Sequence, residues 1–403
     1  MNRRDLLKTG GTLGVLAGLA PMAVAPSRAN DRIGVGVIGA GVRGQLHFDF
    51  LRDVPDLDLV AYCDVLPFRL DEAREKAPAA TSYTDYRRLL DDRDVDAVIV
   101  STHFSEHTPV VLAALDAGKH VYCEKTMIMG LDETRSVVDA AGQHPAQIFQ
   151  TGFQYRTSPL YEKAGALVKD GAIGEVTSID CQWNRNGDWR RPVPDPKWER
   201  QINWRMYREY SGGLVAELSS HQMGFCDWIL GSELETIQGT GGIDYWKDGR
   251  ETFDNTYVLT RYSSGVTATY SSQTTNSLGG YRIVVMGKEG ALILTTQKGW
   301  IVPEGAPPAT PDGIDLVSGA SVMRDDGNSY RLADGRAALR IDAPEGEPTP
   351  VALQQFADAI YSGRQPICDV RNGAKLSALV QLSIDAMHEK KIISWEPHLG
   401  FGA

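Results

Sequence analysis

The residues whose types and spacing could do chemistry fall in three short stretches. Gly39-x-Gly41-x-x-Gly44 follows an apolar, β-prone run through Val35, Val37 and Ile38 and precedes a helical segment at 45–52. Glycines in such a turn accept positive φ and lack a Cβ, so the backbone can approach a pyrophosphate at the N-terminus of the next helix. Val42 and Arg43 fill the last gap of that motif. Residues 57–63 read as a second strand ending in Asp64, twenty residues beyond Gly44, where a carboxylate would accept a ribose diol. Val65, Leu66 and Pro67 follow it, with no adjacent arginine for a 2′-phosphate, so the pattern favours NAD over NADP; Arg69 is the nearest cation. Lys125 leaves the carboxyl end of a predicted strand, 120–124, where open α/β sheets bind ligands. A desolvated lysine lowers its pKa readily and can exchange a proton with a hydroxyl; the plainer reading is a solvated lysine paired with Glu124. Glu217 and His221 are four apart on a predicted helix and would share a face. His221 could then take a hydroxyl proton while Glu217 fixes its tautomer or orients the substrate. The alternative is an ordinary ion pair on a wet face, which Leu214, Val215, Leu218, Met223, Phe225 and Trp228 disfavour. A metal site would need a third ligand of matching spacing, and none is evident.

The elements that must carry these groups alternate. Predicted helices at 67–76, 109–117 and 132–141 separate predicted strands at 95–101, 120–124 and 147–153. That rhythm describes a right-handed, doubly wound parallel sheet, the Rossmann arrangement, over 31–153. Beyond it the order changes. A helix at 160–169, a strand at 175–183, a long aromatic and polar loop at 184–213 and a helix at 214–230 come first. Alternating strands at 255–262, 266–273, 281–286 and 291–296 then suggest an open, mainly antiparallel sheet in an α+β domain over 154–395. Residues 303–348 have the composition of a surface insertion. Two helices, 350–361 and 373–388, close the chain and could pack back on the first domain.

The chain has 403 residues, 42% of them hydrophobic and 23% charged, which suits two globular domains. A net charge of −11 argues against nucleic acid as a partner. Cys63, Cys123, Cys181, Cys226 and Cys368 form neither a metal pattern nor a disulfide framework and read as core thiols. The start reads as an address. Asn2-Arg3-Arg4-Asp5-Leu6-Leu7-Lys8 resembles a twin-arginine export signal, with an apolar run at 9–25 and a cleavage site near Ser27-Arg28-Ala29. The run is short and rich in Gly and Ala, so residues 1–29 predict a removed signal and a periplasmic protein rather than a stable membrane span.

Three stretches resemble one family: the glycine turn, Gly118-Lys-His-Val-Tyr-Cys-Glu-Lys-Thr126, and Gly212-Gly-Leu-Val-Ala-Glu-Leu-Ser-Ser-His221. They are similar to the glucose–fructose oxidoreductase / inositol dehydrogenase group, also called Gfo/Idh/MocA. The resemblance covers nearly all of 31–395. It implies a Rossmann domain joined to an open sheet, substrate between them, Lys125 as proton-transfer lysine, and Glu217 and His221 as its acidic residue and histidine. It also implies that Ser101, Thr102 and His107 lie near the nicotinamide and that Glu124 contributes to cofactor binding; for His103 and His107 helix capping is the alternative. Three departures stand out. Thr126 replaces the usual proline, which suggests a looser loop; Glu217 replaces a common aspartate; and Gly224 replaces a second aspartate, opening space or removing a sugar contact. The loop Trp183-Asn-Arg-Asn-Gly-Asp-Trp-Arg-Arg191, with Trp204 and Arg205, mixes aromatic faces and guanidinium forks of the kind that hold sugars. Tyr155, Arg156, Arg185, Trp189, Trp204 and Arg205 are the substrate-binding candidates. An oligomer interface is an equal reading of that loop, since the family often pairs through its open sheet, which makes a homo-oligomer the expected assembly. The expected function is exported, NAD-dependent oxidoreduction of a secondary hydroxyl on a sugar, glycoside or polyol, with the nicotinamide tightly held. The rivals are an NAD-dependent glycoside hydrolase working by transient oxidation and elimination, and a catalytically dead sugar-binding protein.

Overall fold

The computed structural model describes residues 32–304 and 338–396, with backbone alone at 324–325 and 330–331. The predicted export signal and most of the predicted insertion lie outside the described residues. The chain begins with β1 (Ile33–Ile38), α1 (Val42–Arg52), β2 (Leu57–Cys63), α2 (Pro67–Lys76), β3 (Thr81–Tyr83) and α3 (Tyr86–Leu90). It continues through β4 (Ala97–Val100), α4 (Phe104–Asp116), β5 (His120–Glu124), α5 (Leu131–Gln143) and β6 (Phe149–Gly152). The six strands form one parallel sheet in the order β3-β2-β1-β4-β5-β6. β1 and β4 are buried at every position because helices cover both faces. The order reverses between β1 and β4, and their carboxyl ends open a crevice there. α1 starts directly after the glycine turn, earlier than the predicted 45–52. α4 likewise starts before its internal Pro109.

Next come α6 (Pro159–Lys169), β7 (Val176–Asn184), α7 (Glu199–Ile202), a π-helical turn (Val215–Ser219) and α8 (Ser220–Leu230). The second sheet uses β8 (Leu234–Gly242), β9 (Asn255–Tyr262), β10 (Thr267–Gln273), β11 (Tyr281–Gly287), β12 (Gly290–Leu294) and β13 (Gly299–Pro303). A separate pair, β14 (Arg324–Asp325) with β15 (Tyr330–Arg331), precedes β16 (Leu339–Arg340). α9 (Thr349–Ser362), α10 (Val370–Glu389) and β17 (Ile393–Ser394) end the chain. The sheet has nine strands in the order β16-β13-β12-β11-β7-β10-β9-β8-β17, antiparallel except where β10 runs beside β7. In β10, Ala268, Tyr270 and Ser272 are buried while Thr267, Thr269, Ser271 and Gln273 face the more open side, so one face is packed and one is wet. Four of its strands, β8, β13, β16 and β17, escape the sequence pattern. β8 is rich in glycine because a Cβ at Gly239 would meet Met387 of α10 at 2.8 Å, and β13 together with β16 draws both ends of the predicted insertion into the sheet.

The closing helices join the two sheets. Ala352, Leu353, Phe356, Ala357 and Ala359 of α9 share one core cluster with Ile33, Val35, Val37, Phe48 and Tyr122. All five cysteines are buried and free. No helix among the described residues is long and apolar enough to cross a membrane.

Candidate active site

The carboxyl ends of β1, β2 and β4 and the start of α1 line a cleft of about 680 Å³. A Cβ on Gly39 (φ +93°) would lie 2.8 Å from the Ser101 backbone, and one on Gly44 would lie 1.9 Å from the Gly39 carbonyl oxygen. These two glycines are required by packing. A Cβ on Gly41 would meet nothing within 4 Å, so the space before it belongs to whatever the cleft holds. α1 begins there with no side-chain cap and no acid in its first turn, leaving its amides and dipole to an anion. Asp64 lines the same half, and its carboxylate also accepts from the Ala40 N–H (2.9 Å) and the Leu66 N–H (2.9 Å). Burial raises its pKa against those bonds. Arg69 is paired with Glu72 at 2.7 Å. Ser101 Oγ and Thr102 Oγ1 are buried without partners among the described residues. An uncapped helix start, an open glycine and two orphan hydroxyls in one crevice fit a dinucleotide. Thr84, Tyr86, Arg87 and Gln201 also line this half, and nothing in the sequence marks them.

Arg43, in the glycine motif, points across to Glu124 (Nε to Oε1, 2.7 Å), and the same oxygen pairs with His47 Nε2 at 2.8 Å. Burial alone would raise the Glu124 carboxyl; Arg43 and His47 override it and hold it well below the carboxylate range. Glu124 therefore stands as an anion on the lining of the adjoining hollow. His107 is fully buried, with Nδ1 2.8 Å from the Met127 carbonyl and Nε2 3.2 Å from that of Thr102, so it ties the loop after β4 to the loop after β5. His103 stands at the cap position of α4, its ring edge-on to Tyr210 at 4.7 Å. Burial and the His107 charge push it down to about 4.

The crevice continues into a second hollow of about 580 Å³; Arg43, Ser101, Thr102, Arg191, Trp204 and Arg205 border both. Lys125, Glu217 and His221 meet here. Lys125 Nζ donates to the carbonyls of Glu217 (2.9 Å) and Ala216 (3.4 Å). Burial lowers its pKa, and the nearby Glu217 and Glu124 recover only part of that. Burial also holds His221 neutral, and the Lys125 charge reinforces it. The expected partnership of Glu217 with His221 is not what forms. The turn at Val215–Ser219 is π-helical, and its i→i+5 bonding breaks the α-helical stacking of residues four apart. Glu217 Oε2 instead takes the Arg205 guanidinium at 2.8 Å, while Glu217 Oε1 and His221 Nδ1 are buried without partners among the described residues. Burial would raise the Glu217 carboxyl, but Arg205 and Lys125 hold it low.

Tyr155 and Trp183 flank His221, with ring centroids at 5.1 and 5.6 Å. Arg185, Trp189, Trp204 and Arg205 border the same hollow, together with Gln154, which the sequence did not mark and whose Oε1 is also orphaned. Arg156 is directed elsewhere: its guanidinium lies over the Trp228 ring, 3.6 Å from the centroid, outside the hollow's lining. Two expectations drawn from the departures are also corrected. The loop at Thr126 is tied rather than loose, since Thr126 is buried and its Oγ1 donates to the Ala216 carbonyl at 3.1 Å. Gly224 opens no space, because a Cβ there would touch Leu376 of α10 at 3.0 Å. Among the described residues no group of three or more His, Cys, Asp or Glu side chains is arranged to hold a metal.

Comparison with known proteins points to one family. Residues 33–153 match the model of the Gfo/Idh/MocA oxidoreductase family, NAD-binding Rossmann fold, and residues 161–293 match that of the Gfo/Idh/MocA C-terminal domain. The chain is 26% identical to the oxidoreductase YrbE of Bacillus subtilis over 87% of its own length and 93% of the relative's. It is 29% identical to myo-inositol 2-dehydrogenase of Thermotoga maritima over 64% of its length and 74% of the relative's. Its fold is similar to that of a levoglucosan dehydrogenase solved with NADH and levoglucosan (TM-score 0.73, 17% identity, 90% and 99% of the two chains covered).

Proposed function

Since the chain belongs to the Gfo/Idh/MocA oxidoreductases, an NAD-binding enzyme family acting on CH–OH groups, we propose that it oxidises a secondary hydroxyl of a sugar, glycoside or polyol. The observation that carries this reading is the set of orphaned polar atoms around Lys125. Gln154 Oε1, Glu217 Oε1 and His221 Nδ1 have no partners among the described residues, and a substrate rich in hydroxyls supplies them. Bound in the crevice, NAD supplies the hydride acceptor. Lys125 takes the hydroxyl proton. As a neutral amine with two N–H bonds given to the Ala216 and Glu217 carbonyls, it keeps its lone pair for that hydroxyl. Neutral His221 binds a neighbouring hydroxyl, and Glu217, steadied by Arg205, accepts another. Asp64 favours NAD over NADP by repelling a 2′-phosphate. The relative from Thermotoga maritima is named a myo-inositol 2-dehydrogenase, which favours this reading over hydrolysis by transient oxidation or binding alone. Pure protein mixed with NAD and a panel of inositols, hexoses and anhydrosugars should generate NADH with at least one of them. Silence across the panel under conditions where the sugars bind would remove the oxidoreductase assignment.

We further propose that residues 1–29 export the folded enzyme to the periplasm with NAD already in place, and that the wet face of the second sheet pairs two or more copies. Half-exposed Tyr257 on that face supports the pairing, and Trp204, Arg205 and Gln201, which lie over the dinucleotide half, support retention. Changing Arg3 and Arg4 together to lysine should strand the precursor in the cytoplasm; normal export of that variant would discard the signal. Light scattering that finds only monomers would discard the pairing.

A further inference from the structure

The substrate-side hollow carries an imbalance of charge. Among the described residues two carboxylates border it, Glu124 and Glu217, and each is committed to an arginine, Arg43 at 2.7 Å and Arg205 at 2.8 Å. Arg190 answers to Asp248 at 3.1 Å and to Glu199. Arg191 also borders the dinucleotide half, where pyrophosphate charge is to be met. Arg185 borders only the substrate half and has no carboxylate partner among the described residues. The residue is exposed and lines the hollow.

Its setting is built. The Arg185 guanidinium carbon lies 5.3 Å from the Trp183 ring centroid and 5.9 Å from that of Trp189. Trp189 takes φ +65°, a left-handed backbone conformation that a non-glycine residue keeps only where its surroundings hold it. The segment is clamped on both sides. The Arg185 N–H donates to the Gln273 carbonyl at 2.8 Å, and Arg250 Nη2 donates to the Asp188 carbonyl at 2.9 Å. Aromatic faces lie beside the fork while the residue itself stays exposed, so a planar anion can reach it and take a charge-assisted bond. His221 borders the same hollow as Arg185.

We propose that the substrate is an acidic sugar whose single carboxylate is held by the Arg185 fork while a ring hydroxyl reacts at Lys125. This rests on the oxidoreductase reading above and names its substrate class. One unpaired guanidinium in a planar fork suits one planar carboxylate better than a dianionic phosphate.

The test is calorimetric titration of the NAD-loaded protein with methyl glycosides in matched pairs: glucuronate against glucose, galacturonate against galactose, mannuronate against mannose. Glucose 6-sulfate is an added arm. At least one acid should bind about ten- to a hundredfold more tightly than its neutral mate, the range for a hydrogen bond to a charged group. Raising the salt concentration should shrink the preference. Arg185→Met should bring the acid-to-neutral ratio to about one, and Arg185→Lys should keep part of it, with thermal melts verifying that both variants are folded. Equal binding of every pair, or a preference that survives in Arg185→Met, would overturn the assignment. A sulfate ester preferred over every uronate would overturn the carboxylate. An acid bound selectively but never oxidised counts against the oxidoreductase reading and leaves Arg185 standing.

Discussion

A lysine that works as a base must be uncharged for part of its cycle, and the surroundings of Lys125 favour that state. Burial lowers its pKa from the usual value, and two backbone carbonyls rather than a carboxylate receive its N–H bonds. We expect kcat/KM for oxidation to rise with pH through that lowered pKa and then level off, because raising the pH empties the proton from the amine. Lys125→Ala should cut turnover by about two to four orders of magnitude and flatten this limb while NAD binding persists. Near-normal turnover, or an unchanged pH limb, would take Lys125 out of the chemistry. Lys125 was legible in the sequence because a strand end is readable from its apolar run. The partner of Glu217 was not, since Arg205 reaches it from a loop whose path no local pattern encodes. Thr126 and Gly224 misled for a similar reason. Their neighbours, Ala216 and Leu376, are remote along the chain.

The glycine turn and the π-helical turn show the two limits of reading at the level of elements. β1, the turn, α1 and β2 follow from alternation and glycine spacing, so the dinucleotide half could be laid out in advance. The turn at Val215–Ser219 could not, because its residues are ordinary helix formers and the extra residue per hydrogen-bonded ring follows from tertiary packing. Its effect is to set the Ala216 and Glu217 carbonyls against Lys125. The glycine turn allows a sharp comparison. Gly44→Ala places a methyl 1.9 Å from the Gly39 carbonyl and should destabilise the fold by about 3 kcal/mol. Gly41→Ala meets no protein atom within 4 Å at an ordinary φ of −71°, so its stability should stay within about 0.5 kcal/mol of the parent. NAD affinity should nonetheless fall at least about tenfold, since the methyl occupies space needed by the pyrophosphate. Denaturant melts and NAD titrations on the two variants separate these effects. Unchanged NAD affinity in a folded Gly41→Ala protein would place the dinucleotide elsewhere.

At the scale of the whole molecule, the parallel sheet does not close its own core. α9, more than two hundred residues downstream in the chain, lays Leu353, Phe356 and Ala357 against Val35, Val37, Phe48 and Tyr122. Polar ties fix the same contact: Gln150 Nε2 donates to the Ala352 carbonyl at 2.8 Å, and Arg43 Nη2 donates to Thr349 Oγ1 at 3.2 Å. α10 reaches the loop behind Lys125, where Ser377 Oγ accepts from the Ile128 N–H at 3.1 Å. The amphipathic pattern of these helices is visible in the sequence, and so is the option of packing back on the first domain, but not the residues they meet there, because burial periodicity names a face and not its partner. The consequence is cooperative. Phe356 is fully buried, and Phe356→Ala should cost about 3–5 kcal/mol. A substitution in the last part of the chain should therefore shift the unfolding of the first. Denaturant melts read by the protein's tryptophans and by NAD release should move together, in one transition. A fragment ending at residue 153 should fail to unfold cooperatively, because its α9-facing apolar surface is left in water. A fragment that melts sharply, beside a Phe356→Ala protein that keeps its full stability, would mean that α9 is only a lid on a self-sufficient domain.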